Sequence, residues 1–424
     1  MNRFLLAFAL TLGAAGIASA QSSATVNQSG LSNAAGVTQS GGATASVTQT
    51  STSPTGTGND ATIQQAGAST ATVSQTGDRQ ESTVTQIGGD DNTASVTQTT
   101  NNNGRQISTV AQNGTGNGAT VSMSETGGGD VGTNRASIIQ TGDGNLISSQ
   151  AFVAPGSSSG MLARATQLGD DNIGSQSISN GWTQEMEMIQ EGDRNTASQS
   201  ITGGSFNVVE TWQEGDDNIA SQVLAGSNWG YSSAITRIDQ AGDRNNGSQT
   251  LTGGANGDAN NARLTQVGDD NIASQSLTMV GGGAGDDGND GMILQTGDFN
   301  QASQTSTGLR HAANATQTGD YNVAVQTQTA AGSLGALATF VQEGNGNVAR
   351  LRQEGADDLT LTQDGDGNIL KGAGTSTTAF QSGNSFADVD QIGNLNTVSL
   401  SQTLGANANI DQTGNSNVAS VSQN

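Results

Sequence analysis

Cysteine is absent from the 424 residues, so neither a disulfide framework nor thiol chemistry is open to this chain. Histidine occurs once, as His311, which removes His-rich zinc sites. Only 13 basic residues stand against 37 acidic ones, and Lys371 is the sole lysine. Such a balance repels nucleic acid and anionic lipid, and neither is expected as a partner. Aromatic residues make up 3% of the chain while glycine supplies 61 positions. A conventional globule of this length needs far more large apolar side chains to offset chain entropy. After the first twenty residues no run approaches the ~18 apolar residues of a membrane-crossing helix, so no membrane insertion is expected. Residues 1–20 read as a separate segment: Arg3, an apolar run from Phe4 to Leu12, then Ala18-Ser19-Ala20. That is the layout of a cleavable secretory signal peptide. It predicts an exported protein whose mature chain starts at Gln21.

What the chain has in place of a conventional core is a repeat. A Gln-x-Gly-x-x-Asn frame runs from Gln167 to Asn172, Gln190 to Asn195, Gln213 to Asn218, Gln240 to Asn245 and Gln266 to Asn271. It continues at Gln295 to Asn300, Gln317 to Asn322, Gln342 to Asn347, Gln363 to Asn368, Gln391 to Asn396 and Gln412 to Asn417. A unit recurring roughly every 20–27 residues, too small to bury its own core, implies a stacked array. Composition alone is that of an acidic disordered chain. Disorder, however, gives no reason to hold Gln, Gly and Asn in fixed frame.

Residues before each Gln alternate, as in Leu359, Leu361 and Gln363; so do those after each Asn, as in Asn195, Ala197, Gln199 and Ile201. Period-two runs are half-buried strands. The Gly-Asp-Asp, Gly-Asp-Arg and Gly-Asp-Gly links between them suit tight turns, with Gly169, Gly192, Gly215, Gly242, Gly268, Gly297 and Gly319 as turn glycines. Each repeat is therefore strand–turn–strand. Stacking sets rungs about 4.8 Å apart, so inward amides fall above their own kind and satisfy one another along the stack. The expected fold is all-β: a β-solenoid or cross-β, amyloid-like rod on the order of 85 Å long. Its expected ladder is Gln28, Asn33, Gln39 and the Gln and Asn of each frame above, closing at Gln423.

Three textures divide the mature chain. Residues 21–150 carry single-strand half-repeats such as Val26-x-Gln28, Val73-x-Gln75 and Val96-x-Gln98, with a looser insert around Pro54. Residues 151–380 hold the central repeats, with return connections of varying length such as Gly253-Gly254 and Gly281 to Gly285. Residues 381–424 return to even spacing.

The repeat resembles the curlin repeat of bacterial curli fibre subunits, Ser-x5-Gln-x-Gly-x-x-Asn-x-Ala-x3-Gln. The pattern is complete at Ser22, Gln28, Gly30, Asn33, Ala35 and Gln39, and good at Gln412, Gly414, Asn417, Ala419 and Gln423. The central copies depart from it: Asn207, Asn260 or Asn289 replaces the leading Ser. The closing Gln there stands two residues early, at Gln199, Gln222 and Gln275, with Ile201, Leu224 or Leu277 in its former place. A shift of two keeps the same face inward. The resemblance implies a secreted subunit that leaves through an outer-membrane channel and polymerises, with a nucleator subunit, into a cross-β fibre serving adhesion and biofilm.

No enzyme, cofactor or metal is expected. The Asp-rich turns, Asp170-Asp171, Asp216-Asp217 and Asp269-Asp270, could hold calcium in a monomeric acidic solenoid adhesin, the competing reading. They lack the nine-residue period of calcium-binding solenoids and read more simply as solvated turns that discourage lateral sticking. These turns alternate with Asp193-Arg194 and Asp243-Arg244, so each Arg is expected between acidic neighbours. His311 is expected in a strand, not as a base. Trp182, Trp212, Trp229 and Tyr231 suggest either a sugar- or protein-contact surface or local packing under loops.

Overall fold

The computed structural model describes residues 21–52, 57–100, 104–125, 133–154, 160–180, 182–226, 234–253, 260–280, 288–329 and 335–424. Residues 1–20, expected as a signal peptide, the Pro54 insert, Trp229, Tyr231, Gly254 and Gly281 to Gly285 lie outside them. Every regular element among the described residues is a strand, and every strand pairing is parallel. The chain divides into two compact units, residues 1–179 and 180–424, a boundary that coincides with none of the changes in sequence texture.

In the first unit the strands alternate between two sheets. One holds Ser23–Ser29, Thr44–Thr50, Thr70–Thr76, Thr93–Thr100, Gly118–Glu125, Leu146–Ala154 and Ile173–Ser179. The other holds Ala34–Gln39, Asp60–Gln65, Gln80–Ile87, Gln106–Asn113, Asn134–Thr141 and Leu162–Leu168. Successive strands face each other across the core and pair with the strand one full repeat away. The result is a β-solenoid. The second unit is built alike, with Glu185–Glu191, Val208–Glu214, Ile235–Ala241 and Asn261–Val267 opening one sheet and Thr196–Thr202, Ile219–Ala225 and Asn246–Thr252 opening the other. One rung is split: Ile369–Gly372 and Ala379–Ser382 together take the place of a single strand.

Alternation decides which face is inward. Across Thr70–Thr76, Ala71, Val73 and Gln75 are buried while Thr70, Thr72 and Thr76 are exposed. Inward apolar residues are mostly Ala, Val, Ile and Leu, and Phe152 and Phe340 are the largest fully buried side chains. A core this thin stays dry only because its many inward amides are bonded internally.

Register is kept residue for residue over most pairings, so like falls above like. The exception is Leu146–Ala154, where Ile147 and Ser149 straddle a bulge at Ser148. Past it, Gln150 pairs with Val121 on one side and Gln176 on the other.

Candidate functional site

Three kinds of polar column recur in the two units: glutamines bonded amide to amide, and asparagines and turn aspartates that accept main-chain N–H groups. The first is the glutamine ladder. In the first unit Gln28 Nε2 donates to Gln49 Oε1 at 2.7 Å, Gln49 to Gln75 at 2.8 Å and Gln75 to Gln98 at 2.7 Å. The facing sheet runs Gln39, Gln65, Gln86, Gln112, Gln140 and Gln167 at 2.7–2.9 Å. In the second unit one ladder links Gln190, Gln213, Gln240, Gln266, Gln295, Gln317, Gln342, Gln363, Gln391 and Gln412 at 2.8–3.1 Å. Most of these amides spend their second N–H on a strand carbonyl, as Gln240 does on Ile219 at 3.0 Å. The direction is uniform: Nε2 of one rung donates to Oε1 of the next.

The opposite sheet shows what the early-standing glutamines mean. Its ladder there is Gln199, Gln222, Gln249, Gln275, Gln304 and Gln326, while Ile201, Leu224, Leu251 and Leu277 fill the neighbouring inward column. The strand Val323–Thr329 carries two inward glutamines and joins the two arrangements. Gln326 ends the shifted ladder; Gln328 accepts from Ser306 Oγ at 2.9 Å and opens the ladder through Gln353, Gln381, Gln402 and Gln423. In the first unit the shift begins at the bulge, and Gln150 Oε1, the start of that ladder, has no partner among the described residues. The Gln-x-Gln at Gln326 and Gln328 was the available sequence signal for the splice.

The asparagines add a main-chain bond to the expected amide contact, which Asn172 and Asn322 make to Asn145 Oδ1 and Asn300 Oδ1 at 3.0 and 3.1 Å. Each Asn Oδ1 accepts the backbone N–H of the next Asn, from Asn218 N to Asn195 Oδ1 at 3.0 Å through Asn245, Asn271, Asn300, Asn322, Asn347, Asn368 and Asn396 to Asn417. Their Nδ2 groups reach the next rung's turn glycine, as Asn195 does to Gly215 O at 2.7 Å. In the first unit Asn33 and Asn145 likewise accept from Asn59 and Asn172, at 3.0 and 3.1 Å. The shorter side chain sits where the strand begins, so its carbonyl meets main chain before it meets another amide.

At the turn edge the seven named glycines, Gly169 to Gly319, have φ between 102 and 110°. A Cβ on Gly192, Gly215, Gly242, Gly268 or Gly297 would run into the carbonyl oxygen of the turn glycine one rung on. Two positions later, Asp217, Arg244, Asp270, Phe299 and Tyr321 also hold left-handed φ of 56–59°, an unfavourable state for such side chains. The Asp between them is structural, because Asp193, Asp216, Asp243, Asp269 and Asp298 each donate N–H to the Asp Oδ1 one rung on, at 2.8–2.9 Å. Asn345, Asn394 and Asn415 occupy the same column with the same bond, so the charge is not what the position needs. Among the described residues no group of three or more His, Asp or Glu side chains could hold a metal ion.

The left-handed column carries the charges. Arg194 grips Asp217 with Nε and Nη2 at 2.8 and 2.9 Å, and Arg244 grips Asp270 with both groups at 2.8 Å. Asp217 feels both Arg194 and Arg244, and the Arg194 hydrogen bond chiefly holds its carboxyl below the usual range. Beyond Asp270 the column turns aromatic: Phe299 and Tyr321 stack with centroids 4.9 Å apart.

His311 lies one residue before the strand Ala312–Thr318 rather than within it. Its Nδ1 accepts from Ala336 N at 3.0 Å and its Nε2 faces Thr307 O at 3.1 Å, so it stands in for an Asn in the return-edge column. Burial lowers its pKa, which keeps Nδ1 free to accept.

No curated protein matches the chain. A model of the curlin associated repeat matches residues 68–99. That stretch takes in the strands Thr70–Thr76, Gln80–Ile87 and most of Thr93–Thr100, with the Gln75–Gln98 rung pair bonded across it. The match to the curlin associated repeat at residues 68–99 thus lies in a β-solenoid whose two units both carry inward glutamine ladders and asparagine columns.

Proposed function

We propose that this protein is a secreted structural subunit of an extracellular, curli-like amyloid fibre, assembling by addition of copies end to end and serving adhesion and biofilm. The observation that carries this is the match between the two open rungs. Among the described residues, Ser23–Ser29 and Ala34–Gln39 each pair on one side only, as do Asn407–Thr413 and Val418–Gln423. Unpaired strand edges template further strands. The first rung points Ala24, Val26 and Gln28 inward in one sheet and Ala35, Val37 and Gln39 in the other; the last offers Ala419, Val421 and Gln423 with Ala408, Ile410 and Gln412. Like would stack on like, and Gln423 Nε2 would meet Gln28 Oε1 with the polarity of the internal bonds Gln28 to Gln49 and Gln402 to Gln423. A central rung would not serve, because its glutamine stands where these ends have valine.

In this reading the partners are further copies of the chain, a nucleator subunit and an outer-membrane secretion channel. The calcium-adhesin reading is weakened by the turns, where the Asp Oδ1 atoms already accept main-chain N–H groups. Thioflavin-T kinetics with electron microscopy on residues 21–424, with calcium and with chelator, test the proposal. Fibres after a lag in both conditions, with the lag shortened by seeds, are expected. A monomer that gains β-structure only with calcium would refute it.

A further inference from the structure

The outward face of the second unit holds one feature that the repeat does not explain. Along the middle outward column of one sheet, Ile189, Trp212, Asp239, Thr265 and Leu294 lie in register. Trp212 is the sole aromatic among them and is 45% exposed. An exposed aromatic alone is ordinary on a protein surface. Here it borders a dent. In the next column Ala241 lies between Glu214 and Val267, and its short side chain leaves a hollow of about 190 Å3 beside the indole.

The hollow is below the ~300–1,000 Å3 of pockets for drug-sized ligands and suits a single small ring. Its chemistry is amphipathic. The indole offers one flat apolar wall and an N–H donor, while Glu214 on the same strand and Asp239 on the adjoining one bring carboxylates to the lining. Arg237 is fixed by two bonds to Asp239, at 2.8 and 2.7 Å, with Glu210 at 3.4 Å. Arg263 adds a second cation 3.9 Å from Asp239 but does not line the hollow, whose lining holds two carboxylates, Glu214 and Asp239, against the one guanidinium of Arg237. The whole chain adds a net charge of −24. An anionic ligand is disfavoured; a neutral polyol with one apolar face is not.

We propose that this hollow is a saccharide subsite: the C–H face of one hexopyranose ring of a neutral polysaccharide lies on Trp212, and its hydroxyls donate to Asp239 and Glu214. Repeated along a fibre, a weak site of this kind becomes a multivalent glycan-binding surface. It stands independently of fibre assembly, since monomer would bind too.

Affinity electrophoresis of the full chain tests it, in native gels containing hydroxyethylcellulose, galactomannan or polygalacturonate. Retardation by at least one neutral polymer and none by polygalacturonate is expected. Trp212→Ala should weaken that retardation by about tenfold, and Glu214→Gln by less, while Trp182→Ala leaves it unchanged. Circular dichroism of Trp212→Ala should match the parent, because the side chain points away from the core. No retardation by either neutral polymer, retardation equal in Trp212→Ala, or preference for polygalacturonate would each overturn the proposal.

Discussion

At the scale of the residue, satisfaction of buried polar groups governs the molecule. Gln266 accepts from Gln240 at 2.8 Å and donates to Gln295 at 3.0 Å. Gln266→Ala leaves one buried donor and one buried acceptor unpaired, each costing about 1–3 kcal/mol. We expect it to lower the denaturant midpoint sharply, whereas Thr265→Ala on the outer face of the same strand should barely move it. Glu125 is the converse case. Its carboxyl is buried, neither oxygen has a hydrogen-bond partner among the described residues, and desolvation pushes its pKa from 4.5 to about 7. In the folded state it therefore binds a proton that the unfolded chain has lost by about pH 5. Stability falls as pH rises from about 4.5 to 7, by up to about 3 kcal/mol, and stays low above that. Thermal melts of the parent at pH 5 and pH 8 should show this loss, and Glu125→Gln should abolish most of the difference. A parent melt that does not change with pH would rule the effect out.

At the scale of the element, the turn edge decides how one rung meets the next. Asp217 lies between Arg194 and Arg244, and the Arg244 pair with Asp270 extends the alternation. The contacts are exposed, so they are screened by salt and add little to folded stability. Their consequence is kinetic: acidic turns stacked directly on one another repel while the rung is forming. Arg194→Asp combined with Arg244→Asp should slow assembly at low ionic strength and leave it near the parent rate in about 0.5 M salt. Equal rates at low salt would leave the alternation without a role in assembly. The glycine preceding this column is less replaceable. Gly242→Ala meets both a φ of 110° and the carbonyl of Gly268, and should destabilise more than any change at the charged position.

At the scale of the whole molecule, the two open rungs set the expected growth behaviour. Val26 and Val421 are inward residues of Ser23–Ser29 and Val418–Gln423, each of which has a single strand partner among the described residues. Val26→Lys or Val421→Lys places a charge where the next copy would dock, at several kcal/mol if the junction closes over it. Either variant should remain folded yet fail to elongate from parent seeds at the altered end. A double variant that elongates normally would exclude end-to-end stacking as the growth step.

Much of the fold was legible because a strand's period of two fixes which side chains face inward, and a solenoid repeats that choice at every rung. Alternation around Gln363 or Asn195 therefore implied inward residues, and the Gly-Asp links implied turns. What alternation leaves open is the neighbour one rung away, some twenty to thirty residues distant in sequence. That neighbour decides whether an amide meets another amide, as at Gln213, or main chain, as at Asn218. It also decides where the glutamine column changes place, at the Ser148 bulge and at Gln326 and Gln328, because only register relates those strands. The unbonded Glu125 carboxyl and the hollow beside Trp212 arise the same way, from what stands on adjoining rungs. The sequence by itself determined the repeat, the strands and the inward face. The tertiary structure decided the partners, since hydrogen bonds and desolvation depend on contacts between rungs that no single repeat contains.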